Sequence, residues 1–169
     1  MLYWALSVAT GAAIQISSPG SAIPPQGLIS GNYILDPERS DDVLQAIDNA
    51  VAGLYRPPFA RRLRKAAAPP YAMRISIAAG RFSIKYDAKP LIVVWTGGEP
   101  IQWTLEGGQV FDVSARANGE AISLTFRAAD SERTTVYRSD GQQLVTETTI
   151  ISPLLPTPIR YRVVYDRAS

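Results

Sequence analysis

The chain has 169 residues, of which 46% are hydrophobic and 19% charged, with a formal net charge of +2. That is enough for one globular domain with a core, and too little charge to imply a nucleic-acid partner. It contains no cysteine and no histidine, which excludes disulfides, thiolate nucleophiles, Cys/His metal sites and histidine acid–base chemistry.

Residues 2–16 form a largely apolar run, shorter than a bilayer-spanning helix needs. Ser17-Ser18-Pro19-Gly20-Ser21-Ala22 follows, with small residues suited to a cleavage site, but no Lys or Arg precedes the run. The pattern fits a secretory signal peptide with one element missing; the alternatives are a misplaced start or a hydrophobic N-terminal strand or helix. Segment 1–27, ending in Ile23-Pro24-Pro25-Gln26-Gly27, is expected to be leader and linker. The protein is then periplasmic or secreted, and otherwise cytoplasmic.

One domain is expected over 28–169. A first strand over 28–35 is closed by Asp36-Pro37, since proline cannot continue a ladder. Ser40 is placed as an N-cap, with Asp41 and Asp42 in the first turn. Val43, Leu44, Ile47, Ala50, Val51 and Leu54 then give an apolar helical stripe, with Gly53 near its stop. A second helix opens at Pro58, carries Phe59, Ala60, Leu63, Ala66 and Ala67 on one face, and ends at Pro69-Pro70. From Tyr71 the period changes from 3.6 to 2. Apolar Met73, Ile75 and Ile77 alternate with polar residues, as do Phe82, Ile84 and Tyr86, then Ile101, Trp103 and Leu105, then Ile122, Leu124 and Phe126.

Turns at Ala79-Gly80, Gly97-Gly98, Gly107-Gly108, Asn118-Gly119 and Asp140-Gly141 separate these runs. Nine strands are expected after the helices, at 71–78, 81–88, 90–96, 101–106, 109–117, 121–128, 132–138, 143–151 and 159–166. With the first strand, the total is ten. A meander of this length must close or leave exposed edges. The expected architecture is an antiparallel up-and-down β-barrel with a helix-turn-helix lid between the first two strands; a β-sandwich is the rival.

The order of strand, helix-turn-helix and nine strands resembles the intracellular fatty-acid-binding proteins of the calycin superfamily. Ser30-Gly31-Asn32-Tyr33-Ile34-Leu35 resembles that family's opening Gly-x-Trp strand, with tyrosine in place of tryptophan. Phe59-Ala60-Arg61-Arg62-Leu63-Arg64-Lys65-Ala66-Ala67-Ala68-Pro69 is similar to its second lid helix. Thr134-Thr135-Val136-Tyr137-Arg138 resembles the strand carrying one ligand-binding arginine, and Val164-Tyr165-Asp166-Arg167-Ala168 the last strand with its ligand-binding tyrosine. The family's second arginine falls on Val163. The resemblance implies a distant, bacterial, lipocalin-like relative that binds a fatty acid or related lipid and is not an enzyme.

It also implies that Arg138 holds a carboxylate headgroup and that Tyr165 donates to it, both pointing inward. The alternative is a solvated Arg138 beside ordinary core tyrosines. Tyr161 shares a strand face with Tyr165, and Trp95, Trp103, Phe82 and Tyr86 either line an open cavity or fill a core. Arg160 and Arg162, on the opposite face, either cover the exterior or close the barrel end against Tyr33. Arg61, Arg62, Arg64 and Lys65 make the second helix basic. They either meet an anionic membrane surface or form a solvated face paired with the acidic first helix. No cofactor, metal or nucleic-acid partner is implied. The rival functions are a cavity-less interaction module of the cell envelope and an enzyme using tyrosine, arginine and carboxylate.

Overall fold

The structure, a computed structural model, describes residues 27–28, 30–54, 57–87, 89–105 and 108–168. The expected leader lies outside these residues, Gly27 apart. The chain runs β1 (Gly31–Asp36), α1 (Val43–Val51), α2 (Pro57–Ala67), β2 (Ala72–Ala78), β3 (Arg81–Tyr86), β4 (Ile92–Trp95) and β5 (Ile101–Thr104). It continues through β6 (Val110–Asn118), β7 (Ala121–Arg127), β8 (Glu132–Asp140), β9 (Gln143–Ile151) and β10 (Ile159–Arg167).

All ten strands join one antiparallel sheet in the order β4-β3-β2-β1-β10-β9-β8-β7-β6-β5. Its two ends approach without a ladder between β4 and β5. A single bridge from Thr96 to Ala115 spans the gap, with the Gly97 N–H donating to the Ala115 carbonyl at 2.8 Å. The sheet is thus a nearly closed barrel rather than a sandwich, with both helices inserted between β1 and β2.

Register explains which side chains enter. Phe82 lies opposite Ile77 and Val94, and Ile84 opposite Ile75 and Ile92, so the apolar positions of β2, β3 and β4 share one face. A slip of one residue would turn all of them outward. The β2–β3 hairpin is set by Ala79 and Gly80, both at positive φ (48° and 76°), as a two-residue turn matching strand twist requires. β1 begins at Gly31 rather than at 28, and Leu28 is buried in the core.

The first helix starts later than its sequence pattern suggests. Asp42, not Ser40, is the N-cap, its carboxylate accepting from the Gln45 N–H at 2.9 Å. Ser40 is recruited by the sheet instead: its hydroxyl donates to the Asp36 carbonyl at 2.6 Å and accepts the Val164 N–H at 2.9 Å. Asp41 extends the pairing of β10, giving its N–H to the Arg162 carbonyl and accepting the Arg162 N–H on its carboxylate. Tertiary pairing holds residues 40 and 41 outside the helix. α1 buries Val43, Ile47 and Val51, while Leu44 faces solvent; α2 buries Ala60, Leu63 and Ala67 against the same core.

Candidate functional site: a tyrosine and arginine cluster beneath the lid

Beneath the end of α2 the barrel interior becomes polar. Tyr86 from β3 and Tyr137 from β8 meet hydroxyl to hydroxyl at 2.5 Å. Tyr161 and Tyr165, four residues apart on β10, enter from the side, and Tyr161 donates to the Ala67 carbonyl at 3.1 Å. Thr135 and Thr148 bond to each other at 3.0 Å, and Thr146 donates to the Val163 carbonyl at 3.1 Å. These groups and the segment 67–70 enclose a cavity of about 40 Å³, room for roughly three water molecules.

Arg133, on the inward face of β8, gives the cluster its charge. Its guanidinium lies 4.5 Å from the Phe126 ring centroid, and Nη1 donates to the Ala66 carbonyl at 3.1 Å. Nε is buried and bonded to nothing among the described residues, and no carboxylate there pairs with this arginine. The indole N–H of Trp103, whose ring packs on the same Phe126 at 5.6 Å, is also buried with no partner among the described residues. The unsatisfied Arg133 Nε, on a residue that lines the cavity, is open to an oxygen acceptor. Lys89 adds a second cation at the cavity wall, and no Asp or Glu is among the described residues that line it.

Burial raises the phenol pKa of all four tyrosines, and at Tyr137 and Tyr165 the neighbouring Tyr86 adds to the effect. They remain protonated donors at neutral pH. Lys89 is pushed down, first by burial and then by the Arg133 charge. The cluster offers hydrogen-bond donors and positive charge to an anion. Among the described residues it has no group of three or more carboxylates to hold a metal.

Of the residues expected to face a ligand, Tyr165, Tyr161, Tyr86, Phe82 and Trp103 are buried inside. Arg138 is not: it projects from the outer face and its Nη1 lies 3.4 Å from Glu147. The reason is parity. Arg138 pairs with Val145, whereas Arg133, Thr135 and Tyr137 pair with the inward Ile150, Thr148 and Thr146. Trp95 is also outside, 54% exposed beneath the Arg81 guanidinium, because its neighbours Val94 and Ile92 take the interior positions. Arg133, Tyr137, Lys89 and the threonines were missed. Orienting β8 by its aromatic residue would have found the first two, since an inward Tyr137 brings Thr135 and Arg133 with it. At the barrel end Arg160 and Arg162 stay outside; it is Arg167 that stands opposite Tyr33, its charge acting on that hydroxyl. On α2, Arg64 is tied to Asp48 of α1 at 2.5 Å, while Arg61, Arg62 and Lys65 face solvent.

No family model and no curated protein sequence matches the chain. Solved structures match in fold. A protein described as the REP1-NXSQ fatty acid transporter superposes with a TM-score of 0.57 at 16% identity, covering 83% of this chain and 96% of its own. Fatty-acid-binding protein 1 of Echinococcus granulosus gives 0.55 at 7%, covering 83% and 98%. The fold is that of the fatty-acid-binding proteins. Secretory abundant heat soluble protein 4 from Ramazzottius varieornatus shares this calycin-like fold (TM-score 0.54, 15% identity, 83% and 94% covered). At such identities the likeness is one of architecture, so what a fatty-acid-binding-protein fold holds here must come from this chain's own side chains.

Proposed function

We propose that the barrel binds one amphipathic anion, a fatty acid or related lipid acid, with its headgroup at Arg133 and its chain along the aromatic interior. The observation that carries this is Arg133: a half-buried cation on the inward face of β8, its Nε buried and unpartnered and no carboxylate paired with it among the described residues, lining one cavity with four protonated tyrosines. Even partial burial of a charge without a counter-ion carries a cost, and a bound carboxylate would supply the missing partner through charge-assisted bonds. The names of the fatty acid transporter and the fatty-acid-binding protein sharing this fold support the same reading. Exposed Arg61, Arg62 and Lys65 on α2 would bring such a carrier to anionic lipid surfaces.

Titration with an environment-sensitive fatty-acid probe tests the proposal. Saturable one-site binding, displaced by unlabelled fatty acid and weakened by Arg133→Met, is the expected result. Absence of saturable binding across several lipid classes, both in this protein and in variants that loosen the packing of α2, overturns it. A second reading, a cavity-less interaction module, draws on the small cavity and on Leu91, Val93 and Trp95, exposed around outward positions of β4. It expects protein capture that Trp95→Ala abolishes, and no extractable lipid.

A further inference from the structure

A cavity of about 40 Å³ is too small for a lipid, since small-molecule sites measure roughly 300 Å³ or more. The segment 67–70 forms one of its walls. α2 ends at Ala67 with Pro69-Pro70 just beyond, so its last carbonyls have no helical partner. Two of them are taken by the barrel: Ala66 by Arg133 Nη1 and Ala67 by the Tyr161 hydroxyl, each at 3.1 Å. A helix C-terminus carries about half a negative charge.

We propose that the C-terminal turn of α2 is the resident occupant of the anion site, a stand-in for a ligand headgroup, and that ligand and lid compete for Arg133 and Tyr161. The inference rests on the function proposed above and adds how entry is controlled and which headgroups pass. A carboxylate forms stronger, two-pronged bonds to a guanidinium than the carbonyl it displaces. An alcohol or ester offers nothing more than that carbonyl. Neutral lipids of the same length are therefore turned away by the helix rather than by a clash.

The hinge is equally local. Beyond the prolines the chain is pinned: the Asp87 carboxylate accepts the N–H groups of Tyr71 and Ala72 at 3.0 and 2.9 Å, and the Leu35 N–H donates to the Tyr71 carbonyl at 2.9 Å. Upstream, α2 is held by buried Leu63 and by the exposed Arg64–Asp48 pair. Once its carbonyls are displaced, α2 is free to swing from 67–70, widening the cavity. Occupancy then loosens the lid. A lid that merely clamps its ligand behaves in the opposite way.

The test uses the full chain with a fluorescent-tagged long-chain fatty acid and its alcohol analogue, read by affinity and by amide hydrogen exchange in α2. The acid is expected to speed exchange in the last turns of α2 on the order of tenfold, and to bind on the order of tenfold more tightly than the alcohol. Loosening the lid without touching either donor, by Leu63→Ala or by the surface change Arg64→Ala, is expected to tighten acid binding, because less of the protein is in the closed state. Saturable binding of the acid with α2 equally or better protected, or weakened binding in both lid variants, overturns this inference and leaves the proposed function standing. No saturable binding by the wild type or either lid variant overturns both. Binding that appears only in the lid variants supports the competition directly.

Discussion

Removing the Tyr137 hydroxyl (Tyr137→Phe) leaves the Tyr86 hydroxyl facing a phenyl edge in a buried site, because the two hydroxyls are each other's partners at 2.5 Å. An unpaired buried hydroxyl costs about 1–3 kcal/mol. The adjoining cavity of about 40 Å³ admits a water that recovers part of this, so a loss near 2 kcal/mol is expected. With an m-value of about 2 kcal/mol per molar urea, the midpoint falls by about 1 M; by heat, Tm falls by roughly 4–8 °C. Tyr86→Phe should cost a similar amount. The double replacement removes both polar groups at once and leaves neither orphaned, so it should cost less than the two single changes together, with a coupling of about 1–2 kcal/mol. Urea unfolding of the four proteins measures the cycle. Strict additivity would refute the pairing and, with it, the register that brings β3 and β8 side chains together across the barrel.

The two described tryptophans should behave differently. Trp103→Ala costs about 3–5 kcal/mol, whereas Trp95→Ala stays below about 1 kcal/mol; in a Trp4→Phe background iodide should quench Trp95 and spare Trp103. Arg138→Ala is expected to shift stability by no more than about 0.5 kcal/mol, as an exposed ion pair does, and to leave fatty-acid affinity unchanged. Arg133→Met should weaken that affinity about tenfold or more, a loss of about 1.4 kcal/mol, and equal losses for both variants would contradict the assignment of the interior cation. The buried tyrosines have folded pKa values above their unfolded value of about 10. The stability they contribute is whole below about pH 10 and is lost as pH rises toward the folded values. Phenolate absorbance and circular dichroism should therefore change together in alkali, and reversible ionisation of all four with an intact fold would contradict their burial.

The sequence alone determined the number and order of elements. Alternation of apolar and polar residues, broken by Gly-containing turns, is a local signal, and it located strands such as Arg81–Tyr86 and Gln143–Ile151 closely. Residue types also excluded thiol and histidine chemistry outright. Three things awaited the tertiary structure. Whether Ser40 capped a helix or served the sheet depended on β10, more than a hundred residues away. Which of Arg133 and Arg138 faced inward depended on register, since adjacent positions on a strand differ only in side and a charged residue is tolerated on both. The cavity depended on the lid: Arg133 and Tyr161 meet the end of α2 only after β8, β10 and the helix pair are assembled. Periodicity fixes what repeats along the chain, while a site is a meeting of residues that do not repeat.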